Sequence, residues 1–248
     1  MLLDQFTEQQ LIATLLVFIW TGFVRSGLGF GGAALGLPLF LFIDPRPIIW
    51  LPMIGWHLLF FSSLTISQKG SDIDWSYLRQ ALKWIIPAAL VGVLGLISLP
   101  NQWLLIFVYS ITLFYALMWV SGRAIQSHHR WVDHGLLLTG GYVAGTSLTG
   151  APLIVAVFMR HVTANKLRNT LFVLWFMLVS LKMGAFVVFR IDLQFIPALW
   201  LLLPAAVGHI AGLKTHQKIL QNDALFKKII GGVLALISTL GLWHIITG

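Results

Sequence analysis

LLIFVYSITLFYALMWV, residues 104–120, is apolar on every face. As a helix at about 1.5 Å per residue it nearly crosses a hydrocarbon core of about 30 Å. A strand of a membrane barrel would alternate apolar and polar residues with period two over about ten positions, and this run does not. Comparable stretches lie at 11–43, 48–66, 80–98, 132–159, 168–189, 195–212 and 226–246, which makes eight with the first. Short loops between them hold nearly all the charges. Over 248 residues the chain is 58% hydrophobic and 10% charged, against roughly 25% charged in a soluble domain. A water-soluble globule is excluded. The expected class is all-α, a polytopic transmembrane helical bundle of about eight segments, with the lipid bilayer as its solvent.

Sixteen Lys and Arg against eight Asp and Glu give a net charge of +8. In a soluble protein that excess would suggest nucleic acid; here it reads as orientation of loops against the membrane, and no nucleic-acid partner is expected. With eight spans, Arg46, Arg160, Lys166, Arg168, Lys214, Lys218, Lys227 and Lys228 fall on one side, and Lys69, Arg79, Lys83, Arg123, Arg130 and Arg190 on the other. Eight against six leans toward both termini outside. The N-terminus, MLLDQFTEQQ, lacks the basic region of a signal peptide, so the first apolar run is expected to stay in the mature protein. The absence of cysteine removes disulfides, thiolate metal sites and thiol catalysis.

Two segments are too long or too interrupted for one helix. Residues 11–43 would form a rod of roughly 50 Å, broken by GLGFGG at 27–32. Residues 132–159 contain GTSLTGAP at 145–152, with Pro152 placed to start a second half-helix. A shift of 118 residues pairs Gly22 with Gly140, Gly27 with Gly145, Gly32 with Gly150, Ala33 with Ala151, Leu35 with Leu153 and Ile73–Asp74 with Ile191–Asp192. One deletion later, IPAA at 86–89 falls against LPAA at 203–206. The expectation is two homologous halves, 1–121 and 132–248, joined by a polar linker at 122–131 and each holding a Gly-broken or re-entrant helix. Such a duplication points to the central site of a secondary transporter. An even number of spans per half makes the repeats parallel, an odd number inverted.

The glycines of 27–32 match the dinucleotide pattern G-x-G-x-x-G in form, but the flanks are membrane helix rather than a βαβ unit. Close helix packing is the plain alternative, since Gly27/Gly31, Gly32/Gly36 and Gly141/Gly145 are spaced as small-xxx-small pairs. The functional reading is that Gly27, Gly29, Gly31 and Gly32, with Gly145 and Gly150, unwind their helices at mid-membrane. A helix N-terminus exposed there attracts an anion, and a backbone break at that depth implies a protein-lined or wet cavity.

Arg25 and Lys182 are the two charges that fall well inside apolar segments, away from their ends, while the acidic residues are read as lying in tails or loops. Buried positive charge without an intramembrane carboxylate argues for an anionic substrate that supplies the countercharge. Against this, Arg25 could hold carbonyls of the broken helix, and Lys182 could snorkel to the helix end. Thr146, Ser147 and Thr149 are candidate hydrogen-bond donors to an oxyanion or caps for the next half-helix. Asn169 could reach the same space, and Arg168 could gate the entrance. His57 and His209 are candidate coupling groups, although a lone membrane histidine is commonly a neutral interhelical donor. His128, His129 and His134 read as a solvated loop, with no metal site expected. GTSL at 145–148 fails the G-x-S-x-G form, and no H-E-x-x-H is present, so no enzyme and no cofactor are expected.

SGLGFGGAALGLPLFLF at 26–42 and GGYVAGTSLTGAPLIVAVFM at 140–159, followed by RHVTANKLRNT, resemble the sulfite exporter TauE/SafE family. The resemblance implies a bacterial inner-membrane carrier of seven to nine helices that moves sulfite, organosulfonates or related small anions. Ser147 and Thr149 stand where that family's second repeat usually has glycines. The expected protein is a secondary anion transporter working by alternating access, with a proton or other ion as coupling partner and a homodimer as an open state of assembly. The competing readings are a channel-like pore for small anions or neutral solutes and a non-transporting accessory subunit.

Overall fold

The computed structural model describes residues 5–28, 31–69 and 72–247, and these form ten helices with no strand among them: α1 (Glu8–Leu28), α2 (Gly32–Ile43), α3 (Pro47–Lys69), α4 (Trp75–Ser98), α5 (Asn101–Val120), α6 (Arg130–Ser147), α7 (Ala151–His161), α8 (Ala164–Val188), α9 (Phe195–Gln221) and α10 (Asp223–Thr247). Seven of them, α1, α3, α4, α5, α8, α9 and α10, are long and apolar enough to cross a membrane. The eight apolar stretches become ten helices because each of the two interrupted ones splits.

Both splits are hairpins. Gln10 of α1 donates to the Ile43 carbonyl at the end of α2 (3.0 Å), the Phe18 and Phe40 rings meet at 4.6 Å, and Gly32 sits against Thr21 and Arg25. α2 therefore runs back along α1. The turn needs Gly31, whose φ of 85° lies in the left-handed region that a side chain disfavours. α7 returns along α6 likewise, with Gly150 against Gly140 and Ala144 and Arg160 paired to Asp133 at 3.0 Å. A lipid-embedded chain can reverse only where protein satisfies its backbone, and each return helix leans on its own outward helix.

The helices group into two compact units, and each takes helices from both halves of the chain. The first holds α1, α2, the first turn of α3, α5, α9 and α10. Its principal packing is α1 against α9, running in the same direction. A Cβ on Gly22 would overlap the Ala205 carbonyl, one on Gly208 that of Ile19, and one on Gly212 that of Phe23. Reciprocal small residues bring the two backbones together, the usual membrane solution where lipid removes any hydrophobic drive between helices. α5 and α10 pack antiparallel, Gly231 lying against Ala116 and Gly241 against the Tyr109 ring. Asn101 donates to the Pro45 carbonyl and Tyr109 approaches that of Pro38, so α5 also runs opposite to α2.

These directions sort the charges of the first unit. Arg123, Lys214, Lys218, Lys227 and Lys228 gather where α5 and α9 end and α10 begins, whereas Arg46 lies at the other end with Glu8 and Asp44. The side assignments of Arg46 and Arg123 expected from eight straight spans are thus exchanged within this unit. The reason is that each hairpin returns to the side it left. Exposed Trp103, Trp200 and Trp243 all lie near the less basic end, as an interfacial aromatic belt requires.

The second unit holds the rest of α3 with α4, α6, α7 and α8. α4 and α6 run in the same direction and interlock through Gly92, Gly141 and Gly145, where an added Cβ would strike Tyr142, Ile85 and Ala89 respectively. α3 ends at Lys69, shortly before Asp74, whose amide meets Thr170 near the start of α8, while Gly55, earlier in α3, lies against Val179 and Met183 further along α8, so α3 runs antiparallel to α8. The Trp56 indole donates to the Leu193 carbonyl at 3.0 Å.

Asp133 lies in the first turn of α6, not in a loop, and is buried. It accepts from the Ser127 hydroxyl, from Arg160 (3.0 Å) and from His161 (2.8 Å), which closes the open end of the α6–α7 hairpin. His134 is not solvated either, since its ring stacks on Trp84 at 4.2 Å. Asp133→Asn removes the charge from three converging donors, two of which are partly exposed. The expected loss is about 2 kcal/mol, read as a lower Tm of the purified protein. An unchanged Tm would mean that the hairpin closes without this cluster.

Candidate functional site

The break in the first unit brings Arg25, Gly27, Gly31, Gly32 and His209 together; Gly29 lies outside the described residues. Arg25 sits one turn before the end of α1, 5% exposed, with its Cβ beside Gly32. The Ser26 hydroxyl is hydrogen-bonded to His209 Nδ1 of α9, and about two helical turns further along α9 His216 Nδ1 donates to the Gly27 carbonyl at 2.6 Å. His209 and His216 thus tie the final turn of α1 to α9. Neither Ser26 nor His216 is singled out by the sequence, because partners 183 positions apart (Ser26 and His209) or 189 apart (Gly27 and His216) carry no local signal of their pairing. Gly27 is used for packing, with Ile219 and Gly212 facing it.

The second unit collects Gly145, Thr146, Ser147, Thr149, Gly150, Asn169, Arg168, Lys182 and His57. Thr146 donates to the Tyr142 (2.9 Å) and Gly92 (3.2 Å) carbonyls, and the Ser147 hydroxyl donates to the Val143 carbonyl at 3.0 Å. Thr149 Oγ1 lies 2.6 Å from Ser147 Oγ and is left as the donor in that pair. All three hydroxyl protons are therefore spent within the hairpin. His57 is buried on α3, 3% exposed. Asn169 is half-buried in the second turn of α8, and the Arg168 guanidinium lies over the Phe172 ring at 5.6 Å.

Lys182 is the most isolated of these groups. It is 1% exposed on α8, and its Nζ has no hydrogen-bond partner among the described residues. The ammonium therefore does not reach the helix end. The Asp74 amide at the start of α4 donates to Thr170 Oγ1 of α8 at 2.9 Å, which sets a common level for the two helices. Counted from there along the axes, Lys182 lies about 18 Å in, and Ala89, against which Gly145 packs, about 22 Å in. The lone ammonium thus stands near the depth of the α6–α7 turn. A buried charge without a hydrogen-bond partner among the described residues is costly unless something transient completes it. Among the described residues no cluster of His, Asp and Glu could hold a metal ion.

The family model described as sulfite exporter TauE/SafE matches residues 14–240. Neither the curated proteins nor the solved structures compared with the chain yield a match.

Proposed function

The chain belongs to the sulfite exporter TauE/SafE family of membrane transporters of sulfur anions, and on that premise we propose that it is a secondary transporter of sulfite, an organosulfonate or a related small sulfur oxyanion in a bacterial inner membrane. The observation that carries the reading is the Lys182 ammonium, buried near the α6–α7 turn with no hydrogen-bond partner among the described residues. An oxyanion bound beside it supplies the missing countercharge, which stabilises both partners in a low-dielectric interior. The N-terminal end of α7 adds partial positive charge at similar depth, and Pro152 in its first turn leaves no amide wasted there. Gly150 keeps the hairpin tight and Gly145 lets α4 close on α6, while Thr146 and Ser147, held by carbonyls, and Thr149, held by the Ser147 hydroxyl, form a fixed wall rather than a set of free donors. In the first unit, Arg25 with Gly27, Gly31 and Gly32 forms the corresponding positive end of the α1–α2 break.

The helix directions support transport by alternating access. Taken as equivalents in the two halves 1–121 and 132–248, α3 and α8 run oppositely in one unit, and α5 and α10 run oppositely in the other. Halves of opposite orientation are the arrangement from which two exchangeable states follow by symmetry. His57 and His209 are the buried and half-buried histidines that would couple a proton to the cycle.

Flux of labelled sulfite, thiosulfate, sulfoacetate and a carboxylate control into proteoliposomes, with and without a pH gradient, tests the proposal. Saturable flux of a sulfur oxyanion is expected, and Arg25→Ala is expected to reduce it by at least tenfold in folded protein. Wild-type flux in that variant would take Arg25 out of the site. Non-saturable flux independent of any gradient would make the protein a channel.

A further inference from the structure

Arg168, Trp175 and Lys182 stand seven residues apart on α8. Seven residues turn an α-helix through about 700°, so the three share one face at intervals of about 10.5 Å. Phe172 and Val179 occupy the positions between them on that face. Each of the three carries a buried nitrogen with no hydrogen-bond partner among the described residues: Nε of Arg168, Nε1 of Trp175 and Nζ of Lys182. Guanidinium, indole and ammonium are all donors without an acceptor. Buried donors are ordinarily satisfied, and three in register on one helix face are not an accident of packing.

α3 faces this stripe. Gly55 lies beside Val179, and because α3 runs antiparallel, Ser62, seven residues on, comes level with Trp175. Ser62 is buried, and its hydroxyl also has no hydrogen-bond partner among the described residues. Arg168 stands at the end of the second unit where Arg79, Lys83, Arg130, Arg160 and Lys166 also gather.

We infer that this face of α8 is the path of the anion, from Arg168 at the basic end past Trp175 to Lys182, with Trp175 as a specificity residue that donates its indole N–H to the passing oxyanion. The inference rests on the transport reading above and extends it. A row of donors without acceptors selects an anion that presents only acceptor oxygens, such as sulfite, thiosulfate or a sulfonate. An anion that brings its own hydroxyl proton finds nothing on Arg168, Trp175 or Lys182 to receive it.

Initial rates of sulfite flux against concentration, for wild type, Trp175→Phe and Trp175→His in proteoliposomes, test the path. Trp175→Phe keeps an aromatic ring and loses the N–H; KM is expected to rise about tenfold, the factor for one hydrogen bond to a charged group. Trp175→His restores a ring N–H and is expected to recover most of that loss. A wild-type KM in Trp175→Phe overturns the proposal, as does an equal loss in both variants accompanied by a lower Tm, which would make Trp175 structural. If wild-type vesicles move no anion, the transport reading fails by itself. The donor row is then decided by the Tm shift that thiosulfate produces in the solubilised protein. A shift present in wild type and absent in Trp175→Phe upholds the row as an anion site, whereas no shift in wild type, or an equal shift in both, overturns it.

Discussion

Lys182→Met is expected to abolish anion flux, by at least a hundredfold, while raising the stability of the protein. The two effects have opposite signs for one reason. The Lys182 ammonium is withdrawn from solvent without a hydrogen-bond partner among the described residues, so the folded state without an anion bears an uncompensated desolvation cost. Methionine has similar length and no charge, and replacing a poorly compensated buried ion by an apolar side chain of like volume commonly stabilises by about 1–4 kcal/mol. With bound anion the same ammonium becomes half of an ion pair, and removing it strands the substrate's charge in a medium that cannot solvate it. Flux assays and thermal denaturation on the same preparation check both halves. A lower Tm would show that the ammonium serves the fold, and undiminished flux would remove Lys182 from the site.

Gly145→Ala is expected to cost about 3 kcal/mol or more, or to prevent folding, although it adds a single methyl group. The new Cβ would overlap the Ala89 carbonyl, which belongs to the backbone of α4 and has no rotamer to escape into. Overpacking of a flexible core costs about 1–3 kcal/mol, and here α4 must separate from α6 along their shared stripe. Gly22→Ala, directed at the Ala205 carbonyl, is expected to do the same in the first unit. Gly184→Ala is the control, since nothing lies within 4 Å of the added Cβ. There alanine is expected to be neutral or to stabilise by up to about 1 kcal/mol through helix propensity. Yield of monodisperse protein and Tm separate the three, and equal behaviour of Gly145→Ala and Gly184→Ala would sink the packing argument.

Of the glycine pairs legible in the sequence, each turns out to serve a different need. Gly141/Gly145 does mate with another helix, α4, and Gly32/Gly36 packs against α1 inside its own hairpin. Gly27/Gly31 is not a packing pair: Gly27 meets α9, while Gly31 has only its own helix's Leu35 at ordinary contact distance and is required for its backbone angle. Spacing reveals that small residues are wanted and leaves open what approaches them. The turn hydroxyls teach the same lesson. GTSLT presents three potential donors in the sequence, yet Val143, Tyr142 and Gly92 take up protons that an oxyanion could have used. Whether a hydroxyl is free depends on carbonyls placed by the surrounding helices.

The amino-acid sequence alone determined that this is a helical membrane protein, where its helices lie, where two of them break, and that Lys182 has no acidic partner within its segment. These follow from a local rule: in lipid each backbone group must be satisfied inside its own helix, so a long apolar run has one solution and a glycine-rich interruption marks its failure. The folded arrangement decided that the breaks are hairpins, that α1 pairs with α9 and α4 with α6, that Arg46 and Arg123 lie at the opposite ends of the first unit from those expected, and that Lys182 stays buried rather than reaching the helix end. Each of those outcomes depends on close contacts between residues far apart in the chain, worth fractions of a kcal/mol singly and decisive only in sum.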